Sequence, residues 1–370
     1  MRIVLLTSSL NIGGAQTQLM LLAEGLKSKG HAVHVISYNP ARELSKNLTQ
    51  SDISFTVIER KGRWEFWSFL KTLSAEINSF KPDCVYSFLL GPNVILSLIK
   101  NRLNGAKIIW GIRASDMDFS KYHFSEQFTF FISRLLSRRA DLIISNSNAG
   151  MKHHVAYGYP RDKFKVVHNG VDHSKYKPDK TSGLRVRQEL GLSEKHLVIG
   201  TVARIDPMKG YDTLIGAAKN LCHTYPQLRF VCLGGGDKLL KQKLQNTVVE
   251  QELERFFIWI DKFDDLNAFY NALDLLVLPS SYGEGFSNVL VEAALCEIPA
   301  IATNCGDSLE ILKDQNTIVQ RKNPDSLSIA IAKWINQRDE FIKAPKGLAQ
   351  TYSVNQMVES TLNCLSLAIH

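Results

Sequence analysis

Leu275-Leu-Val-Leu-Pro279 runs directly into Ser280-Ser-Tyr-Gly-Glu284-Gly-Phe-Ser-Asn-Val-Leu-Val-Glu292, and the two segments together spell a strand, a turn and a helix. The apolar run is short and ends at a proline, as a buried parallel strand does. Ser280 to Gly285 has turn composition, and Ser287 or Asn288 can cap the helix that follows. Glu284 then stands in the loop before the helix N-terminus, and Glu292 stands about one turn inside it. Between them lie backbone N–H groups and the positive end of the helix dipole, a combination that favours a phosphate. At ~1.5 Å per helical residue the two carboxylates are at most roughly 12 Å apart. That span fits a nucleotide sugar, with one acid near the ribose hydroxyls and one near the hexose hydroxyls. The spacing alone equally fits a solvated helix residue and an ordinary loop acid.

Working outward, the first half of the chain alternates strands and helices. Strands are expected at Ile3 to Thr7, Ala32 to Ser37, Lys81 to Ser87, Ala106 to Gly111 and Ala140 to Asn146. An amphipathic helix over Gln16 to Lys29 is closed by Gly30. The second half repeats the grammar, with strands at Leu197 to Val202, Arg229 to Leu233, Phe256 to Ile260, Leu275 to Leu278 and Ala300 to Ala302, and a helix over Tyr211 to His223. Such alternation predicts parallel, doubly wound sheets. The polar stretch Tyr176 to Gly183 carries Pro and Gly and reads as a joint. We therefore expect two Rossmann-like α/β domains, residues 1–178 and 179–351, facing across a cleft. Their strand ends should point ligand loops into that cleft. A terminal helix at about 352–370 is expected to pack back on the first domain.

The 370 residues, 45% hydrophobic and 22% charged, suit a globular enzyme of two domains. No apolar run reaches membrane-spanning length, since Val85 to Ile99 is interrupted by Ser87, Gly91, Pro92 and Asn93. Met1 to Leu6 is too short for a signal sequence core and reads as the first strand. Six cysteines without a C-x-x-C pair are expected to be reduced thiols of a cytoplasmic protein. Charge is unevenly spread. Residues 1–180 carry a net +11 and residues 181–370 a net −3. The basic half calls for an anionic partner, such as a phospholipid surface or a pyrophosphate-bearing lipid, or else is scattered solvated lysines. No nucleic-acid-binding motif is present.

Several landmarks occur in a fixed order: Gly13-Gly-Ala15, Val167-His-Asn-Gly-Val-Asp172, Ala203-Arg-Ile-Asp-Pro-Met-Lys-Gly210, Gly234-Gly-Gly-Asp237, Leu278-Pro-Ser280 and Glu284-x7-Glu292. In this order the chain resembles family 4 of the glycosyltransferases, which have the GT-B fold, and it does so over nearly its whole length. It is similar to members that build lipid-linked surface polysaccharides. The residues have a physical logic of their own. Gly13 and Gly14 allow close backbone approach and φ > 0 between a strand and a helix. Arg204 and Lys209 place a fork and a point charge at a helix entrance, suited to a pyrophosphate.

The resemblance implies more. Glu284 binds hydroxyls of the donor sugar, and Glu292 accepts from the ribose. Arg204 and Lys209 neutralise the departing nucleoside diphosphate. Gly285, Phe286, Ser287 and Asn288 face the sugar and diphosphate. Gly234 and Gly235 admit the nucleotide, and its base lies near Ile260. Gly13 and Gly14 lie near the donor pyrophosphate and the acceptor. It further implies retention of configuration, with a diphosphate oxygen taking the acceptor proton, and closure of the cleft to exclude water. No metal and no cofactor is expected beside the nucleotide sugar, for which a UDP-sugar is the expected choice. The acceptor is expected to be a saccharide or a polyprenyl-linked saccharide.

One position departs from the family pattern. Many members carry a histidine near the reacting carbon, and here the place reads Trp110-Gly-Ile-Arg113-Ala-Ser-Asp116. Arg113 stays protonated and cannot be a base. It is expected either to bind a phosphate, with Asp116 contacting the acceptor, or to form an Arg–Asp pair that orders the loop. His123, His153, His154 and His168 read as surface or structural residues. The segment Arg60 to Leu70 mixes cations with Trp64, Phe66, Trp67 and Phe69, and fits a core helix or a contact with the inner face of the cell membrane. Arg134, Arg138 and Arg139 could extend such a contact. Rival functions for this architecture are a sugar-nucleotide epimerase or phosphorylase, a dinucleotide-dependent dehydrogenase, disfavoured by the missing Gly-x-Gly-x-x-Gly after the first strand, and a non-catalytic nucleotide-sugar-binding protein.

Overall fold

Two seven- and six-stranded sheets, every recorded pairing in them parallel, organise the chain in a computed structural model. It describes residues 1–11, 13–39, 45–59, 65–118, 124–338, 341 and 345–369, with the backbone alone for 45–47 and 124–126. Trp64 and the cations before it, like His123, lie outside the described residues.

The first sheet comprises β1 (Arg2–Thr7), β2 (Ala32–Ser37), β3 (Ser54–Val57), β4 (Cys84–Phe88), β5 (Lys107–Ile112), β6 (Leu142–Ser145) and β7 (Phe164–Val166). Their spatial order is β3-β2-β1-β4-β5-β6-β7. Alternating side chains of β1 feed two cores, as the two-residue period of a strand requires. Ile3 and Leu5 join the buried residues of helices Gly14–Ser28 and Val354–Ile369. Val4 and Leu6 join those of helices Phe66–Ser79 and Leu90–Ile99. In the aromatic-basic segment Phe69 is buried, Phe66 is partly packed on that second core, and Trp67 is 71% exposed.

The second sheet comprises β8 (Leu197–Val202), β9 (Leu228–Leu233), β10 (Phe257–Ile260), β11 (Leu275–Leu278), β12 (Ala300–Thr303) and β13 (Ile318–Val319). Its order is β10-β9-β8-β11-β12-β13. In sequence terms this is 3-2-1-4-5-6, the doubly wound arrangement of dinucleotide-binding sheets.

Each sheet belongs to its own compact unit. One unit is Met1–Gly170 with Tyr352–His370, and the other is Val171–Thr351. The chain therefore leaves the first unit at Gly170, just before the stretch Tyr176 to Gly183 whose composition suggested a joint. Its second half begins the helix Lys180–Glu189, whose N-cap Asp179 accepts from the Ser182 N–H. Helix Val354–Ile369 buries Met357, Val358 and Leu365 in the core of the first unit. Gly25 makes room for it, since a Cβ there would lie 2.3 Å from a methyl of Val358.

Candidate active site

Strand order reverses between β8 and β11, and ligands of open parallel sheets bind beyond the carboxyl ends of strands at such a point. The loops leaving these two strands carry Arg204, Lys209 and Glu284. They are fastened to each other. The Ser281 N–H donates to the Met208 carbonyl at 2.7 Å. Gly210 has φ +67°, and a Cβ there would sit 2.0 Å from the Pro279 carbonyl oxygen, so no other residue fits. Asp206 caps the turn Pro207–Lys209 by accepting from the Met208 N–H, and its other oxygen accepts from the exposed Arg204 at 2.7 Å.

Lys209 and Glu284 meet directly. The ammonium donates to Glu284 Oε1 at 2.5 Å, and the Ser280 hydroxyl donates to the same oxygen at 2.7 Å. Their side chains are 19% and 9% exposed. Lys209 thus spends one of its three donors on a sugar-binding candidate, where the sequence placed it on the diphosphate alone. Two donors remain available by valence.

Glu292 lies on the helix Asn288–Leu295 and is half-buried. The Tyr270 hydroxyl, from helix Leu266–Asn271, donates to its Oε2 at 2.6 Å. Burial lifts the Glu292 pKa above the ordinary carboxylate value, while the hydroxyls of Tyr270 and Tyr176 pull it back by favouring the ion. The two phenols are themselves held protonated, first by burial and then by the Glu292 charge. Their rings meet edge-on with centroids 5.9 Å apart. Neither tyrosine was readable as a site residue, because each reaches Glu292 from a different part of the chain.

Ser287 is the N-cap of the Glu292 helix, yet its side chain makes no capping hydrogen bond, and Asn288 is the first helical residue. The expected side-chain cap is therefore absent at Ser287. Phe286 and Ser287 are buried, and the Gly285 carbonyl accepts from the Asp307 N–H at 3.0 Å. Beside the loop after β8, Gly234 and Gly236 have φ of +142° and +149°, and a Cβ on either would strike the carbonyl of Ala203 or Ile205 at 2.2 and 2.3 Å. Gly235 has room, its nearest neighbour being the Asp261 carbonyl at 3.7 Å. The Ile260 carbonyl, at the end of β10, accepts from the Gly234 N–H. Donor-site candidates from the ends of four strands thus gather at the carboxyl edge of one sheet.

In the first unit the reversal lies between β1 and β4. Gly13 follows β1 and caps the helix Gly14–Ser28 with φ −177°, an extended conformation open to any residue. The left-handed backbone expected of it is not used there. A Cβ on Gly14 would meet nothing within 4 Å. Left-handed backbone does occur after β4, at Leu89 with φ +79°. Arg113 follows β5. Its guanidinium donates to the Tyr86 hydroxyl at 3.0 Å and to Asn169 Oδ1 at 3.1 Å, and its carbon lies 4.1 Å from the centre of the Phe88 ring. Burial draws its pKa down from the ordinary guanidinium value. Asn169, inside the Val167–Asp172 motif, was not singled out by sequence, and orienting Arg113 gives it a task. Burial lowers the His153 pKa, and the charge of the exposed Asp116, which has φ +26°, only partly opposes that. His154 is structural as expected. Its ring bonds the Gly150 carbonyl at 2.8 Å, and burial pushes its pKa down to about 4.

Comparison with known proteins agrees with this architecture. Residues 12–175 match the model for "Glycosyltransferase Family 4", and residues 184–348 match "Glycosyl transferases group 1". An uncharacterized glycosyltransferase of Methanocaldococcus jannaschii is 26% identical over 58% of this chain and 56% of its own. The chain thus spans about half the length of some curated relatives it matches. A Campylobacter jejuni protein is 25% identical over 93% of this chain and 92% of its own. It is named N-acetylgalactosamine-N,N'-diacetylbacillosaminyl-diphospho-undecaprenol 4-alpha-N-acetylgalactosaminyltransferase. The crystal structure of Anabaena HepE in complex with UDP-glucose superposes with a TM-score of 0.86 at 22% identity, covering 99% of each chain, which gives the GT-B fold. With one family model on each unit and a GT-B neighbour across both, the chain belongs to the family 4 glycosyltransferases.

Proposed function

We propose that this protein is a retaining glycosyltransferase. It moves a hexose or N-acetylhexosamine from a nucleoside-diphosphate sugar, a UDP-sugar, to a saccharide or lipid-linked saccharide in surface polysaccharide assembly. The observation that carries the reading is the pairing of two acids at one sheet edge, Glu284 held by Lys209 and Ser280, and Glu292 held by Tyr270. Glu292 accepts from the ribose hydroxyls and Glu284 from the sugar. Gly234, Gly235 and Ile260 border the base and ribose. Arg204, the remaining donors of Lys209 and the N-terminus of helix Asn288–Leu295 stabilise the diphosphate as it leaves. The bond from the anomeric carbon to the phosphate oxygen breaks, the bond to the acceptor oxygen forms on the same face, and the acceptor proton passes to a diphosphate oxygen.

The acceptor belongs to the first unit, near Gly13, Gly14, Arg113 and Asp116. Arg113 supplies charge there and no base. The names of the Campylobacter relative and of the HepE complex support a lipid-linked acceptor and a UDP-sugar. No helix among the described residues is long and apolar enough to cross a membrane. We place the protein in the cytoplasm, reaching a lipid-linked acceptor by peripheral contact of its basic first unit with the membrane.

Thermal-shift measurements with UDP, GDP, ADP and their sugars test the donor site. One nucleotide should stabilise the wild type by several degrees, and Glu292→Ala should lose that shift. Absence of a shift with every nucleotide would favour a non-catalytic protein. Donor isomerised or cleaved by phosphate, with no acceptor used, would favour an epimerase or phosphorylase. Transfer should also survive EDTA, since cations of the chain serve the diphosphate. A loss restored by added metal would overturn that part.

A further inference from the structure

The helix Phe124–Leu136 turns a row of large apolar side chains to solvent. Phe128, Phe131 and Leu135 are 55%, 56% and 60% exposed, and their i, i+3, i+7 spacing puts them on one helical face. The opposite face is already seated. Phe130 and Ser133 are buried, and the Phe130 ring lies 5.0 Å from that of Tyr157. The exposed row is therefore not the helix's own core side. It packs beside helix Leu90–Ile99, whose Leu98 is 46% exposed.

The charge around this row is mainly positive, with Glu126, in the first turn, the one acid of the helix. The sequence holds no acid between Asp83 and Asp116, nor between Glu126 and Asp141. Over the same stretches it places Lys100, Arg102, Lys107, Arg113, Arg134, Arg138 and Arg139. Lys100 is paired with Asp141. Arg139 donates to the Ser97 carbonyl and to Asn101. Arg102, Arg134 and Arg138 are exposed and have no carboxylate partner among the described residues. A contiguous apolar row, two of its three side chains aromatic, rimmed by arginines and poor in acids is the composition of a helix lying in a lipid interface. Arginines without acids to match them suit an anionic headgroup layer, whose surface potential is negative.

We propose that this face docks on an anionic phospholipid surface. Phe128, Phe131 and Leu135 enter the boundary between headgroups and acyl chains, and Arg102, Arg134 and Arg138 meet the phosphates. The inference deepens the membrane contact proposed above by naming its surface, and it is independent of the donor site.

Vesicle co-sedimentation of the full chain tests it, using phosphatidylcholine with and without phosphatidylglycerol. Wild type should bind the anionic vesicles and release in high salt. Phe128→Ala/Phe131→Ala/Leu135→Ala and Arg134→Glu/Arg138→Glu should each bind about tenfold more weakly or less, with nucleotide-induced thermal shifts unchanged. Trp67→Ala, on another helix, should bind as wild type. Failure of the wild type to bind would remove the membrane contact itself. Binding by wild type and both multiple variants alike would leave the contact standing and overturn this surface. A concentration-dependent dimer that the triple variant abolishes, with vesicle binding intact, would assign the face to a second copy and also overturn it.

Discussion

At the scale of single residues, the ionisation of Glu292 is set by a contest between burial and two phenols. Burial raises its pKa, so the carboxylate proposed to accept the ribose hydroxyls is lost as pH falls through that raised value. Removing the Tyr270 hydroxyl removes a force that lowers the pKa, and the loss must begin at a higher pH. Tyr270→Phe is expected to weaken UDP binding by about tenfold near neutrality, with the deficit widening in weakly acidic buffer. Glu292→Ala should show no such pH dependence. Calorimetric titration across pH checks this, and an affinity and profile equal to wild type would exclude Tyr270 from positioning the acid. Glu292 was legible in the sequence because it stands eight residues from Glu284 on a local pattern. Tyr270 and Tyr176 were not, because their link to Glu292 is a product of packing. The same holds for Ser280 on Glu284 and for Asn169 on Arg113. Lys209 was legible as a cation of the site, but its pairing with Glu284 was not.

At the scale of elements, the triple glycine after β9 divides into two kinds of position. Gly234 and Gly236 lie against backbone carbonyls of the loop after β8, and those carbonyls cannot step aside without moving Arg204. Gly235 lies open. Gly234→Ala should cost on the order of 2 kcal/mol and displace the loop, whereas Gly235→Ala should leave the melting temperature nearly unchanged. Urea titration of the two variants separates them, and equal stability would mean that the close approach is relieved by other means. Central strands were readable because both faces are buried and their runs are short apolar text, continuous in β11. Three of the four edge strands, β3, β7 and β13, were not. They are two to four residues long and only partly buried, so composition hardly marks them. Part of the polar stretch around Tyr176 opens the helix Lys180–Glu189. Asp, Ser and Gly signal a helix start as readily as a linker.

At the scale of the whole molecule, the first unit is built from two separate parts of the chain. Helix Val354–Ile369 supplies Met357, Val358 and Leu365 to its core. The Gly170 N–H points at the Met357 sulfur at 3.3 Å and also bonds the buried Gln18, which returns a hydrogen bond to the Gly170 carbonyl. Ending the chain after Thr351 should therefore destabilise the first unit by several kcal/mol, exposing its helix Gly14–Ser28 to hydrogen exchange. The second unit should keep its protection. Equal protection in the two units of the truncated chain would contradict this division. The same interrupted connectivity sets an order in time. As the polypeptide is synthesised, residues 1–170 emerge first but lack one wall of their core. Completion waits for another 181 residues to pass, on the order of ten seconds or more at ordinary translation rates. The second unit, contiguous in the chain, can be finished before the unit that precedes it, and the nascent first unit waits on the ribosome with the apolar groove for its last helix still open.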